Sequence, residues 1–319
     1  MHTQYPILRH GFVARASGCC GRLLVAILLL GSTTAFAKSS PLSIYQQAMQ
    51  SLLDDAVMPK LKARLSANER SRIFSLTLEV SSSSDPRQVL MSTFTKPSHY
   101  VVSAGYMSLQ DVLVDAAILA DAQPSSIDEL MDYSFEVAQY GQATEQSPTP
   151  ATVVPRPFWS RLNWKESTYQ QLRASTAYST NRYRGAEQNV AWLAAVAIAQ
   201  TVSSDTVSKR ISPSVTRRNI YELAAELLQR SDWSPAPSWP VAILYASATQ
   251  QAGMGAAQDW ACEAKQIVEA GIAVDQRTER SSSDAALRTE RQQQNEYWRR
   301  VADRLEARSR CDASTPRRK

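Results

Sequence analysis

Histidine and cysteine, the residues that most often bind metals or act as catalytic bases and nucleophiles, are scarce in this chain. It has three histidines and four cysteines among 319 residues. The first 37 residues hold two of each, which leaves His99, Cys262 and Cys311. A zinc site needs about three or four ligands, and HExxH or any other two-histidine site cannot be built from one histidine. The inventory therefore predicts no metal site.

Serine-hydrolase and nucleotide chemistry also lack their motifs. A Ser-His-Asp arrangement would have to use His99, and no G-x-S-x-G supplies an exposed serine. We expect His99 to be a strand-edge or surface residue. No G-x-G-x-x-G or P-loop motif occurs, and Gly253-Met-Gly255 is too short to cradle a phosphate. We therefore predict no cofactor and no catalytic residue.

Carboxylates and aromatic residues remain as candidates. Asp111 and Asp115 lie one helical turn apart and could do acid–base or glycoside chemistry. Acids at the start of a helix are more often surface charges that complement the helix dipole, which is the interpretation we favour. Phe158, Trp159 and Trp164 could contact a sugar or a peptide, although such residues also commonly anchor a loop to the core.

The first 37 residues have the pattern of an export signal. Three arginines precede a short apolar core, Leu23–Leu30, and Ala35–Ala37 matches an A-x-A cleavage site. We predict cleavage after Ala37 and a periplasmic or secreted protein, with an uncleaved anchor as the alternative because the basic region is long. No later stretch approaches the roughly 20 apolar residues that a membrane span needs, so no transmembrane span is expected after cleavage.

Charge and cysteine content agree with that compartment. The formal net charge is +5, and removal of residues 1–37 takes away three arginines and no acid, which leaves +2. Much of this excess lies in Arg317-Arg318-Lys319, and no basic stripe with interleaved aromatics favours nucleic acid. Cys262 and Cys311 form an even pair, and an oxidising compartment favours a disulfide between them.

The hydrophobic periodicity predicts an α+β protein, predominantly α-helical, with a small N-terminal β-sheet followed by a helical body. A helix, or two short ones, is expected over 41–65. Strands are then expected at 73–80, 89–94 and 99–103. Helices follow at 107–120, 127–140, 165–177, 187–208, 215–230, 239–252, 256–276 and 284–310. We divide the chain into a signal peptide (1–37), an α+β domain (38–255) with a proline-rich loop (142–157), and a C-terminal helical hairpin with a basic tail (256–319).

Three stretches resemble the gluzincin-type HExxH zinc metallopeptidases, especially those related to the CAAX prenyl protease. They are Tyr100–Met107, Trp192–Asp205 and Tyr221–Pro235, which are similar to the strand and turn before that family's active site, its active-site helix and its third-ligand helix. The ligand and base positions are degenerate; in chain order they hold Val196, Ala197, Gln200, Arg217 and Tyr221. The resemblance implies a peptidase-like fold without metal, whose groove could serve binding.

The sequence thus favours an exported, non-catalytic binding protein with a protein or cell-envelope partner and no nucleic acid. One alternative is a glycan-active hydrolase that uses carboxylates alone, which requires two acids facing each other in a cleft. Another is a structural envelope component whose last helix packs on a partner through Leu287, Tyr297, Val301 and Leu305.

Overall fold

The computed structural model describes residues 42–93, 96–123, 127–142, 155–203, 213–235, 238–251 and 259–308. The expected export signal and most of the proline-rich loop lie outside these ranges. The helices are α1 Leu42–Ser51, α2 Met58–Ala63, α3 Ala67–Arg72, α4 Ala104–Ala122, α5 Ile127–Gln142, α6 Phe158–Arg161, α7 Glu166–Arg173, α8 Thr176–Ser203, α9 Pro213–Arg230, α10 Trp239–Gln251, α11 Trp260–Ser281 and α12 Ala285–Arg308. The strands are β1 Thr77–Ser81, β2 Met91–Thr93 and β3 Lys96–Ser103. The described part is predominantly helical, as predicted.

The N-terminal helix contains a π-helical turn. The six residues Leu52–Val57, called the π-segment below, join α1 to α2 without a break. Pro59 lies just after the π-segment and has no N–H to donate, so the helical hydrogen-bond ladder is interrupted at this position. The apolar side of this element, including Met49, Leu53 and Leu61, is buried in the core.

The sheet has three strands in the order β1-β3-β2. β3 is central; it pairs parallel with β1 and antiparallel with β2. The predicted first strand, 73–80, was wrong at its start, because Ile73 ends α3 and residues 73–75 form a turn. In this turn Ile73 is buried and Phe74 is exposed, so the inward-facing alternation of the strand begins only at Leu76. Helices α1–α3 precede the sheet, and the other helices follow it.

A central helix, α8, organises the helical body. It contacts α4, α7, α9 and the N-terminal helices, and all residues from Val190 to Ala199 are buried. One continuous hydrophobic core joins the N-terminal helices, the sheet and the helical body, from Met49 to Leu305. Among the described residues, none of the helices combines the length and apolar character that crossing a membrane requires.

The last two helices lie antiparallel. Asp275 of α11 pairs with Arg291 of α12, and Lys265 lies 3.0 Å from Glu306. The end of α12 is held to α5 by ion pairs from Arg304 to Asp128 and from Arg308 to Asp132. Tyr297, Val301 and Leu305, the seam proposed for a partner, are buried in the chain's own core, and Leu287 is half-buried.

Gly105 lies directly against the backbone of Ser84. A Cβ atom built there would lie 2.1 Å from the carbonyl oxygen of Ser84, and the Gly105 N–H donates to Ser83 O at 2.9 Å. We expect Gly105→Ala to lower the free energy of unfolding by about 3 kcal/mol, because backbone cannot move aside as a side chain can.

Gly141→Ala is the matched control for this prediction. Its added Cβ meets the Leu109 side chain at 2.9 Å, and that side chain can shift. Urea unfolding of both variants should show the larger loss for Gly105→Ala; equal losses would contradict the importance of the backbone contact.

Candidate functional site

The first candidate region contains the positions that the peptidase resemblance marks as degenerate. Val196 and Ala197 are completely buried on α8, and Gln200 is half-buried one turn later. Because the helix is packed on all sides at Val196 and Ala197, no groove borders it there. Whether the chain shares the peptidase fold stays a prediction.

Arg217 and Tyr221, the other two degenerate positions, meet at a glutamate. Both lie on α9, and both reach Glu263 in the first turns of α11. The Tyr221 hydroxyl donates to Glu263 Oε1, and Arg217 Nη1 lies 3.9 Å from Glu263 Oε2. The Glu263 side chain is 2% exposed. The structure therefore brings two of the five degenerate positions together around a buried carboxylate.

Three aromatic rings cluster where Tyr221 meets this carboxylate. Trp192, Tyr221 and Tyr245 form a triangle with centroid separations of 6.1, 6.3 and 6.4 Å. Burial raises the pKa of Glu263, while the Tyr221 hydroxyl and Arg217 oppose that rise. Burial also raises the pKa of Tyr221, so its hydroxyl stays a donor. The Tyr221 hydrogen bond to Glu263 therefore ties α9 to α11 at a buried position.

Tyr221→Phe tests how much the Glu263 contact stabilises the fold. We expect a loss of about 1–3 kcal/mol in the free energy of unfolding, because the buried Glu263 loses its hydroxyl donor. A double-mutant cycle with Glu263→Gln, followed by urea unfolding, should give a coupling energy of about 1 kcal/mol or more. Additive effects would show that the two side chains do not interact in solution.

The second candidate region surrounds Asp111 and Asp115 on α4. The structure corrects the interpretation of these residues as surface charges. The Asp111 side chain is only 13% exposed; its Oδ2 accepts from the Tyr45 hydroxyl at 3.0 Å and lies 3.5 Å from Arg182 Nη2. Burial raises the pKa of Asp111, and Arg182 and Tyr45 oppose that rise.

Asp115 binds two tyrosines at once. Its Oδ1 accepts from the Tyr178 hydroxyl, and its Oδ2 accepts from the Tyr169 hydroxyl at 3.1 Å. Burial and the Asp115 charge raise the pKa of Tyr169 to about 12, which keeps its hydroxyl protonated. The two aspartates therefore tie α1, α7 and α8 to α4.

The three aromatic candidates lie next to this cluster. Phe158 is buried and packs 5.3 Å from the ring of Tyr133. Trp159 is half-buried and stacks on Tyr169 at 5.8 Å, with an angle of 18° between the rings. We call Trp159, Trp164, Tyr169 and Arg173 the Trp159 patch; the Arg173 guanidinium lies 5.4 Å from the centre of the Tyr169 ring, and Trp164 Nε1 donates to Gln123 Oε1 at 3.0 Å. The structure thus joins the carboxylate and aromatic candidates in one place.

Several residues of these clusters were missed at the sequence level, notably Tyr169, Tyr178, Arg182 and Glu263. The sequence pattern could have identified two of them, Arg182 and Glu263. Arg182 precedes Ala186, Val190 and Leu193 on the apolar face of α8, and Glu263 precedes Ile267 on that of α11. A charged residue at such a position must find a partner.

The remaining candidates from the sequence are His99 and the two cysteines. His99 lies on β3, and its Nε2 is 3.2 Å from Glu79 Oε2 across the parallel pair. Cys262 is buried on α11 next to Glu263, whereas Cys311 lies outside the described residues, so their disulfide stays a prediction. Within the described ranges, no three His, Cys, Asp or Glu side chains are grouped as a metal site requires.

Comparison with known proteins adds no assignment. No protein-family model, no curated protein and no solved structure matches this chain.

Proposed function

We propose that this chain is an exported, non-catalytic binding protein that holds a protein partner at the Trp159 patch. The observation that supports this most is the engagement of the nearby carboxylates. Both oxygens of Asp115 accept tyrosine hydroxyls, and Asp111 Oδ2 faces Tyr45 and Arg182. The aspartates hold the aromatic residues in place.

The same contacts weigh against the glycan-hydrolase alternative. A general acid or base must reach the proton that it transfers, at hydrogen-bond distance from the substrate. Each oxygen of Asp115 already accepts a tyrosine hydroxyl, which stabilises the carboxylate and leaves at most one lone pair per oxygen for a substrate. The carboxylates of this cluster are therefore better suited to positioning than to catalysis.

The composition of the Trp159 patch favours a protein partner. Tryptophan, tyrosine and arginine are the residues most enriched among interface hot spots. Trp159 and Tyr169 are held rigidly by stacking and by Asp115, so little side-chain entropy would be lost on binding. The structural-component alternative has less support, because the apolar side of α12 covers the core of the chain itself.

Site-specific photo-crosslinking tests the proposal. A photoreactive amino acid is placed in the tagged protein at position 166, an exposed glutamate on α7 one turn before Tyr169, and, as a matched control, at position 296, an exposed glutamate on α12. We expect a defined cross-linked partner from position 166 only, and we expect it to disappear in a Trp159→Ala background whose circular dichroism and unfolding are intact.

No partner from position 166, or the same products from both positions, would refute binding at this patch. Arg173→Glu is a second test that does not touch the core; it should reduce the cross-link from the probe at position 166.

A further inference from the structure

A groove lies between the N-terminal helix and the edge of the sheet, remote from the Trp159 patch in sequence. It has a volume of about 420 Å³ and is lined by Asp54, Met58, Pro59, Lys62, Leu76, Thr77 and Leu78. This volume falls within the usual range of ligand pockets. One wall is the π-segment and the start of α2, and the other is β1. Single π-helical turns are frequent at functional sites.

The β1 wall offers backbone hydrogen-bonding groups. β1 is an edge strand of the described sheet, because the strand order β1-β3-β2 places it at one end. Leu78 O accepts from Gln50 Nε2 at 3.3 Å, and Val80 N–H donates to Gln50 Oε1 at 2.8 Å. The Gln50 amide thus imitates a paired strand over the second half of β1. The N–H and the carbonyl of a strand residue point to the same side, so the Leu78 N–H faces the groove side as well.

The groove also carries one charge of each sign. Asp54 and Lys62 are exposed and lie eight residues apart along a continuous helix, a rise of about 12 Å. An extended peptide covers that distance in about four residues. Met58, Leu76 and Leu78 supply the apolar surface between the two charges.

From these features we propose that the groove binds an extended peptide segment of a partner protein, with a basic and an acidic side chain about four residues apart and an apolar residue between them. The basic side chain pairs with Asp54 and the acidic one with Lys62. The peptide backbone meets β1 at the Leu78 N–H, just before the stretch that Gln50 covers, which is a short form of the mode by which extended peptides bind sheet edges. Phe74, which is 93% exposed two residues before Leu76, provides further apolar contact at the edge.

A second copy of this chain fits the groove less well. Pairing β1 with β1 of another copy requires a free strand edge on both copies. β1 has five residues, and Gln50 already occupies the Leu78 carbonyl and the Val80 N–H. The space that remains suits a short segment with charges in a fixed order.

A charge-order experiment tests the proposal with two dye-labelled synthetic peptides. They are Gly-Lys-Thr-Val-Thr-Glu-Gly and Gly-Glu-Thr-Val-Thr-Lys-Gly, which have the same composition and opposite charge order, and in which the central Val lies on the same face as both charges. Fluorescence anisotropy with the full chain should show one of them binding at least about tenfold more tightly, because the wrong order places like charges together. Exchanging the protein charges, Asp54→Lys with Lys62→Asp, should reverse the preference.

The control variant is Asp55→Lys with Arg70→Asp, which moves the same charges at exposed positions that do not line the groove. It should keep the original preference. Equal binding of both peptides, binding of neither, or a preference that the Asp54/Lys62 exchange leaves unchanged would overturn the proposal. Concentration-dependent dimerisation that blocks the peptide would assign the groove to a second copy instead. Failure of the peptide experiment would leave the proposal for the Trp159 patch standing, because the two sites share no residue and are tested with different variants.

Discussion

Replacing Arg291 with methionine is expected to lower the free energy of unfolding by about 3–5 kcal/mol near pH 7, because it leaves the Asp275 charge buried without a partner. Asp275 has no exposed surface and the Arg291 side chain is 19% exposed. Burial raises the pKa of Asp275 to about 6, even though the neighbouring arginine opposes the rise. Urea unfolding measures the loss, and Arg288→Met, at an exposed position one turn earlier on α12, should stay within about 0.5 kcal/mol of the wild type.

The raised pKa of Asp275 also predicts the direction in which stability changes with pH. The folded pKa of Asp275 lies above its unfolded value, so the folded state binds the proton more tightly. Protonation therefore stabilises the fold as the pH falls through about 6, and the stabilisation is complete only below about 3.9. Relative to an Asp275→Asn variant, the wild type should gain about 1–1.5 kcal/mol between about pH 7.5 and about pH 5. A difference that does not change with pH would show that Asp275 is not buried as described.

Asp115→Ala is expected to cost about 3–5 kcal/mol, because hydrogen bonds to a charged acceptor contribute about 1.5–3 kcal/mol each and two tyrosine hydroxyls lose theirs. As a surface charge at the start of a helix, Asp115 would contribute at most about 1 kcal/mol. Thermal and urea unfolding distinguish the two interpretations directly.

Asp121→Ala on the same helix is the control for this substitution. Asp121 is exposed in the last turn of α4, and its removal should change the free energy of unfolding by about 0.5 kcal/mol or less. In a Tyr178→Phe background, Asp115→Ala should cost less, because one of its two hydroxyl partners is already gone. A full loss in that background would contradict the bond between Tyr178 and Asp115.

The periodicity of the sequence predicted most of the helices, and local signals explain why, but α8 begins at Thr176 rather than at 187 and α6 was missed. Ser103 caps α4 with its hydroxyl accepting from the Tyr106 N–H, and the apolar faces of α5 and α9 repeat at the helical period, whereas α10 is largely apolar and buried on all sides. The strand boundaries were harder to predict from the sequence. Residues 73–76 alternate as a strand does, but the capping box of Ser66 and Glu69 begins a helix that carries the chain into a turn first.

The candidate clusters were predictable only in part. Asp111, Asp115 and Trp159 stood out because of their type and spacing, yet nothing local indicated that Tyr169 and Tyr178 would reach Asp115. Those partners come from α7 and α8, and only packing brings them to α4. Arg217 and Tyr221 were singled out by resemblance, and Glu263, which joins them, lies 42 residues beyond Tyr221.

The span of the aspartate contacts along the chain bears on folding kinetics. Tyr45 and Asp111 are 66 residues apart, and Tyr178 and Asp115 are 63 apart, whereas the Asp275–Arg291 contact of the last hairpin spans 16. Closing the shorter loop costs less chain entropy, so the hairpin is expected to form before the aspartate cluster. Interactions that form after the transition state mainly set the unfolding rate. Loss of Asp115 should therefore leave refolding nearly as fast as in the wild type and shorten the lifetime of the native state.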